Sequence, residues 1–250
     1  MRELLPSDRL IVAADFRPDL RMREGDKTWV RLQVLELAEK LKGLGVYLKV
    51  NSALRCCGYS LLDDIRGMGL RTFADLKLYD IGETLSIDGA LLKRYHPDIL
   101  TVSCNTGDLA MKALKDELPD TEILGVTVLT SIGDHEADFI HRYGNALNAV
   151  KFLAAKASGA GMDGIICSPK EAAAVRYLIR EKMTINTPNI RPAWAQVSGD
   201  DQNPNRAMTP AEAMKVGVTR IVLGRPITQA ESPREAVKRT LEEIGSVLSV

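Results

Sequence analysis

The chain has 250 residues, 45% of them apolar, with 33 Lys plus Arg balanced by 33 Asp plus Glu. That length, with no Pro/Gly/Ser-rich divide between two cores, suits one domain over residues 1–250, and zero net charge argues against a nucleic-acid partner while leaving room for a small anion held by a few focused charges. No apolar stretch nears the roughly 20 residues that span a bilayer, and Met1-Arg2-Glu3 opens no signal-peptide core, so a cytoplasmic protein without a membrane partner is expected.

Along the chain, short apolar or β-branched runs alternate with longer segments of helical period, the pattern of repeated βα units and a parallel sheet. Strands are predicted at Leu10–Ala14, Val46–Val50, Thr72–Leu76, Ile99–Ser103, Ile123–Val128, Gly164–Cys167, Thr184–Ile190 and Ile221–Leu223. Eight strands favour closure into an α/β fold of the single (β/α)8 TIM-barrel type over an open sheet. Ser168-Pro-Lys-Glu171, Thr209-Pro-Ala-Glu212 and Ser232-Pro-Arg-Glu235 each combine an N-cap hydroxyl, Pro at the first helical position and Glu two residues later, which predicts helices after strands six, seven and eight. The last should run through Ala236–Leu248. Cys56, Cys57, Cys104 and Cys167 form no CxxC pair, and His96, His135 and His141 are scattered, so neither a metal site nor a nucleophile–base pair is expected from them.

In such a barrel, chemistry is built where the carboxyl ends of the strands converge. Those ends are polar here: Asp15 follows strand one, strand two carries Lys49, strand three carries Asp75 with Lys77 just beyond, and strand five leads to Thr130-Ser131. Arg191 follows strand seven and Arg225 strand eight. Solvated charges at strand ends are common, so any one of these residues alone says little. In Asp75-Leu-Lys77-Leu-Tyr-Asp80, strand periodicity sends Asp75 and Lys77 to the same side, where they need either a satisfied ion-pair network or a function. Asp80 falls on the loop beyond. Gly224-Arg225 pairs a residue that lets a ligand approach the backbone with a planar fork for phosphate oxygens, in a place where these barrels recurrently bind phosphate; an ordinary turn with an exposed Arg is the other reading.

At this point the sequence resembles the orotidine 5′-monophosphate decarboxylases, through Ala14-Asp15-Phe, Lys49-Val-Asn, Phe73-Ala-Asp-Leu-Lys-Leu-Tyr-Asp-Ile81 with Thr84, Val126-Thr-Val-Leu-Thr-Ser131, Thr187-Pro-Asn-Ile-Arg-Pro192, Asp200-Asp-Gln202 and Gly224-Arg-Pro-Ile-Thr228. The Asp-x-Lys-x-x-Asp run is shared with sugar-phosphate decarboxylases of the same superfamily. The resemblance implies decarboxylation of orotidine 5′-monophosphate to uridine 5′-monophosphate without metal or organic cofactor. It implies a charge network of Lys49, Asp75, Lys77 and Asp80, with Asp80 entering from the second subunit of a homodimer. It further implies Asp15 and Thr84 for the ribose, Thr130 for the pyrimidine, Gln202, Arg225 and Arg191 for the phosphate, and Ile81, Pro188 and Gly224 among the substrate-binding residues. Gln196 competes with Gln202 for its role. The chain departs from the family's habits at Ala14, Asn51, Gly82-Glu83 and Asn189, and in a longer stretch from Ala193 to Ala207.

Loss of CO2 from C6 leaves an anion without a conjugated sink; the ammonium of Lys77 can stabilise it and then deliver the proton. Two other functions remain open on sequence: a related sugar-phosphate decarboxylase or epimerase using magnesium, and a catalytically silent nucleotide-binding barrel.

Overall fold

The structure is a computed structural model and describes residues 4–18, 26–195 and 207–248. Eight parallel strands close into a barrel in sequence order, β1 (Leu10–Ala13), β2 (Tyr47–Val50), β3 (Arg71–Leu78), β4 (Ile99–Ser103), β5 (Glu122–Val126), β6 (Gly164–Ile166), β7 (Thr184–Thr187) and β8 (Arg220–Leu223), with β8 pairing back onto β1. The helices are α1 (Asp26–Leu41), α2 (Ser52–Cys57), α3 (Ser60–Gly67), α4 (Gly82–Lys93), α5 (Asp108–Glu117), α6 (Asp134–His141), α7 (Ala146–Gly159), α8 (Ala172–Arg176), α9 (Pro210–Lys215), α10 (Arg225–Thr228) and α11 (Pro233–Leu248). The (β/α)8 TIM barrel expected from the alternation is therefore the observed fold.

Strand alternation divides the core in two. One set of side chains, including Leu10, Val12, Leu48, Val50, Ala74 and Leu100, packs outward under the helices, while Ile11, Ala13, Tyr47, Phe73, Ile99, Leu124 and Val222 fill the barrel. The amino-terminal end of the barrel is plugged by polar groups. Arg220 donates to both oxygens of Glu122, at 2.7 and 2.9 Å, and to Asn186 Oδ1 at 3.2 Å, and Thr184 donates to Glu122 at 2.6 Å. Burial alone would lower the Arg220 pKa, but Glu122 outweighs it and the net shift is upward. Below this plug, Arg71 donates to Asp8 at 2.6 Å on the turn Pro6–Arg9.

Several boundaries differ from the sequence expectation for local reasons. The seventh strand ends at Thr187 rather than Ile190, because Pro188 has no N–H for the ladder and Asn189 has a φ of 64°. The Ser168 and Thr209 capping boxes form reciprocally, whereas at Ser232 the hydroxyl accepts from the Glu235 N–H at 3.4 Å.

Candidate active site

At the carboxyl ends of the strands lies a cavity of about 570 Å3. A row of alternating charge crosses its inner wall. Lys49 Nζ lies 2.9 Å from Asp15 Oδ2 and 3.1 Å from Asp75 Oδ2, and Lys77 Nζ is 2.7 Å from that same Asp75 oxygen. The other Asp75 oxygen accepts from Thr101 Oγ1 at 2.9 Å. Burial pushes the Asp75 carboxyl upward, but the adjacent ammoniums of Lys49 and Lys77 outweigh it and hold the group at about 2. Burial likewise pushes Lys49 down, and Asp75 with Asp15 more than reverses this, so its pKa is raised. The result is a buried lysine, Lys49, and a buried carboxylate, Asp75, that each hold the other's charge inside the fold.

Asp75 and Lys77 meet as alternation predicts, yet the strand between them is not regular. The ladder to β4 pairs Ala74 with Leu100 and then Leu78 with Val102, so four steps along β3 match two along β4. Lys77 takes a φ of 49°, a left-handed conformation that costs a non-glycine residue roughly 1–2 kcal/mol. Its N–H, displaced from the ladder, donates to Thr101 Oγ1 at 2.9 Å. Such irregularities re-aim side chains at sites.

The remaining wall comes from other strand ends. Thr130 follows β5, Pro188, Asn189 and Arg191 follow β7, and Gly224 and Arg225 follow β8; all border the cavity. The Arg191 N–H donates to Met208 O at 2.9 Å, tying the backbone just after β7 to the backbone just before α9. A Cβ placed on Gly224 would lie 3.6 Å from Ala13 Cβ, an ordinary contact, so crowding by the protein alone does not require glycine there.

Of the residues singled out from the sequence, the cavity thus gathers Asp15, Lys49, Asp75, Lys77, Thr130, Pro188, Arg191, Gly224 and Arg225. Asp80, Ile81 and Thr84 are not among its lining. Asp80 accepts from the Ile81 N–H at 2.8 Å, forms no ion pair among the described residues, and borders a second concavity that it shares with Lys77, Arg55 and Tyr79. Ile81 is 69% exposed, and Thr84 lies in the first turn of α4. Gln202 and its competitor Gln196 fall outside the described residues. Sequence reading missed Arg17 and Phe73, which also line the cavity, and Thr101, which holds Asp75. Phe73 and Thr101 could have been found by extending the inward register of their strands, whereas nothing in the sequence marks Arg17 among its neighbouring arginines.

A model of the orotidine 5′-phosphate decarboxylase / HUMPS family matches residues 8–240. The chain belongs to this family. A protein named orotidine 5′-phosphate decarboxylase from Methylobacterium sp. (strain 4-46) is 36% identical over 97% of this chain and 98% of its own length, and one from Rhodopseudomonas palustris (strain ATCC BAA-98 / CGA009) is 35% identical over 96% and 94%. The crystal structure of orotidine 5′-phosphate decarboxylase from Lactobacillus acidophilus superposes with a TM-score of 0.73 at 28% identity, covering 95% of this chain and 99% of that one. Asn189 adopts a left-handed conformation that glycine would take more easily.

Proposed function

We propose that this chain is a carboxy-lyase that converts orotidine 5′-monophosphate to uridine 5′-monophosphate in pyrimidine biosynthesis. The observation that carries this reading is the row Asp15–Lys49–Asp75–Lys77, paired, buried at its centre, and set in a cavity that Arg191 and Arg225 also border. A substrate with a phosphate and a ring carboxylate is anionic at both ends, and this cavity offers cations at both.

In this reading the phosphate docks at Arg225 and Arg191, the pyrimidine lies toward Thr130, and C6 faces Lys77. The bond from C6 to the carboxylate carbon breaks, CO2 leaves, and the electron pair stays on C6. The ammonium of Lys77 stabilises that charge and transfers its proton to C6; the amine is then reprotonated from water. Asp75 fixes the ammonium in place before reaction, so little reorganisation remains for the chemical step.

The working unit in this reading is a homodimer in which Asp80 serves the partner's site. Supporting it, Asp80 has no ion pair among the described residues, and its neighbours Tyr79 and Ile81 are each 69% exposed.

An absorbance assay with orotidine 5′-monophosphate tests the reading. Activity should persist in EDTA, and Lys77→Ala should nearly abolish turnover with the fold intact. Chelator-sensitive activity would move the assignment to the sugar-phosphate branch, and a tenth of wild-type kcat in Lys77→Ala would remove that residue as the acid.

A further inference from the structure

The peptide group joining Leu76 to Lys77 leads into the left-handed conformation of Lys77. Beyond the pair Val50↔Ala74, β2 has ended, and the register shift against β4 leaves this peptide without a regular ladder partner on either side. Two side chains fill the gaps. Arg55, on α2, donates from Nη2 to Leu76 O at 3.0 Å, and Thr101 accepts the Lys77 N–H at 2.9 Å, so both ends of one amide plane are held. Arg55 is itself fixed, donating from Nη1 to Asn51 Oδ1 at 2.8 Å. Asn51 stands two residues after Lys49, so the brace also ties the end of the strand bearing one lysine to the irregular segment bearing the other.

We infer that Arg55, seated by Asn51, is a positioning residue for Lys77: its hydrogen bond to Leu76 O sets the peptide plane that holds Lys77 left-handed and its ammonium on Asp75. An unbraced peptide can rotate, relieving the left-handed φ and swinging Nζ out of the row. The consequence for turnover rests on the decarboxylase reading; the brace itself does not.

Two measurements keep these apart. Amide hydrogen exchange, read by NMR, reports the brace without reference to any reaction. Exchange at Lys77 should quicken at least tenfold in Arg55→Ala and return most of the way in Arg55→Lys, whose ammonium can still donate to Leu76 O. Unchanged exchange in Arg55→Ala would overturn the brace. For the reaction, kcat should fall tenfold or more in Arg55→Ala, Kd for uridine 5′-monophosphate should change less than threefold, and Arg55→Lys should recover several-fold, all at matched oligomeric state by native mass spectrometry. Quickened exchange with kcat within twofold of wild type, or equal losses in kcat and product affinity, would overturn the positioning role. Should Arg55→Ala fail to fold, Asn51→Ala decides, with a several-fold rise in Lys77 exchange expected and no rise counting against the brace. A wild-type protein that does not decarboxylate orotidylate would overturn the functional reading while the exchange result still judged the brace.

Discussion

Asp75 is 7% exposed and yet stays ionised down to about pH 2, because two ammoniums and the Thr101 hydroxyl reach its oxygens. Its folded pKa lies below the ordinary 3.8, so its contribution to stability is present above about pH 4 and is lost as the pH falls from there toward 2. The difference corresponds to about 2 kcal/mol. Urea unfolding should therefore show wild type losing about 2 kcal/mol more than Asp75→Asn between pH 4 and pH 2; equal losses would mean the carboxylate gains nothing from its lysines. Arg225 offers a separate test. If it anchors the phosphate, Arg225→Ala should cost about 2–5 kcal/mol in kcat/KM while affinity for uridine, which lacks the phosphate, stays the same. Loss of both affinities together would make Arg225 a structural residue. Asp75 and Lys77 were legible in the sequence because charges in an apolar strand are conspicuous. Thr101 shares the inward register of β4, so its place could be read, but not its hold on Asp75 and on the Lys77 N–H, which depends on the shift in the ladder beside it.

The elements show the same division. Eight strands and their order could be read from alternating runs, and the helix starts after β6 and β7 from hydroxyl, proline and glutamate at fixed spacing, because these signals are local. The irregularity in β3 was hidden, since it depends on how far β2 and β4 extend alongside. Close packing between strands was hidden too. A Cβ on Gly164 would fall 2.1 Å from Thr184 Oγ1 and 2.7 Å from Thr184 O, and backbone cannot give way cheaply. Gly164→Ala should cost about 1–3 kcal/mol through overpacking and lower Tm by several degrees, because it displaces the hydroxyl that donates to Glu122. At 25 °C its kcat should remain within twofold of wild type, since Thr184 lies at the end of the barrel away from the cavity. A tenfold fall in kcat with unchanged Tm would show that the two ends are coupled.

At the scale of the whole molecule, the proposed sharing of Asp80 between subunits makes a quantitative prediction. Lys77→Ala and Asp80→Asn homodimers should each be nearly inactive, whereas a heterodimer collects both lesions in one site and leaves the other intact. Unfolding and refolding an equal mixture should make about half the dimers mixed and restore roughly a quarter of wild-type activity, with the unexchanged mixture near zero. Exchange of chains proved by native mass spectrometry without such recovery would put Asp80 in its own subunit's site or outside it. The polar plug at the opposite end of the barrel bears on molecular traffic. With Arg220, Glu122 and Asn186 bonded across the bottom, and Ile11, Phe73, Ile99 and Leu124 filling the space above them, the described residues leave the barrel no back door. On the decarboxylase reading, nucleotide entry, carbon dioxide escape and nucleotide departure would then share one opening, so a segment that folded over the mouth would delay the gas and the nucleotide alike, and a turnover would finish only when the doorway reopened.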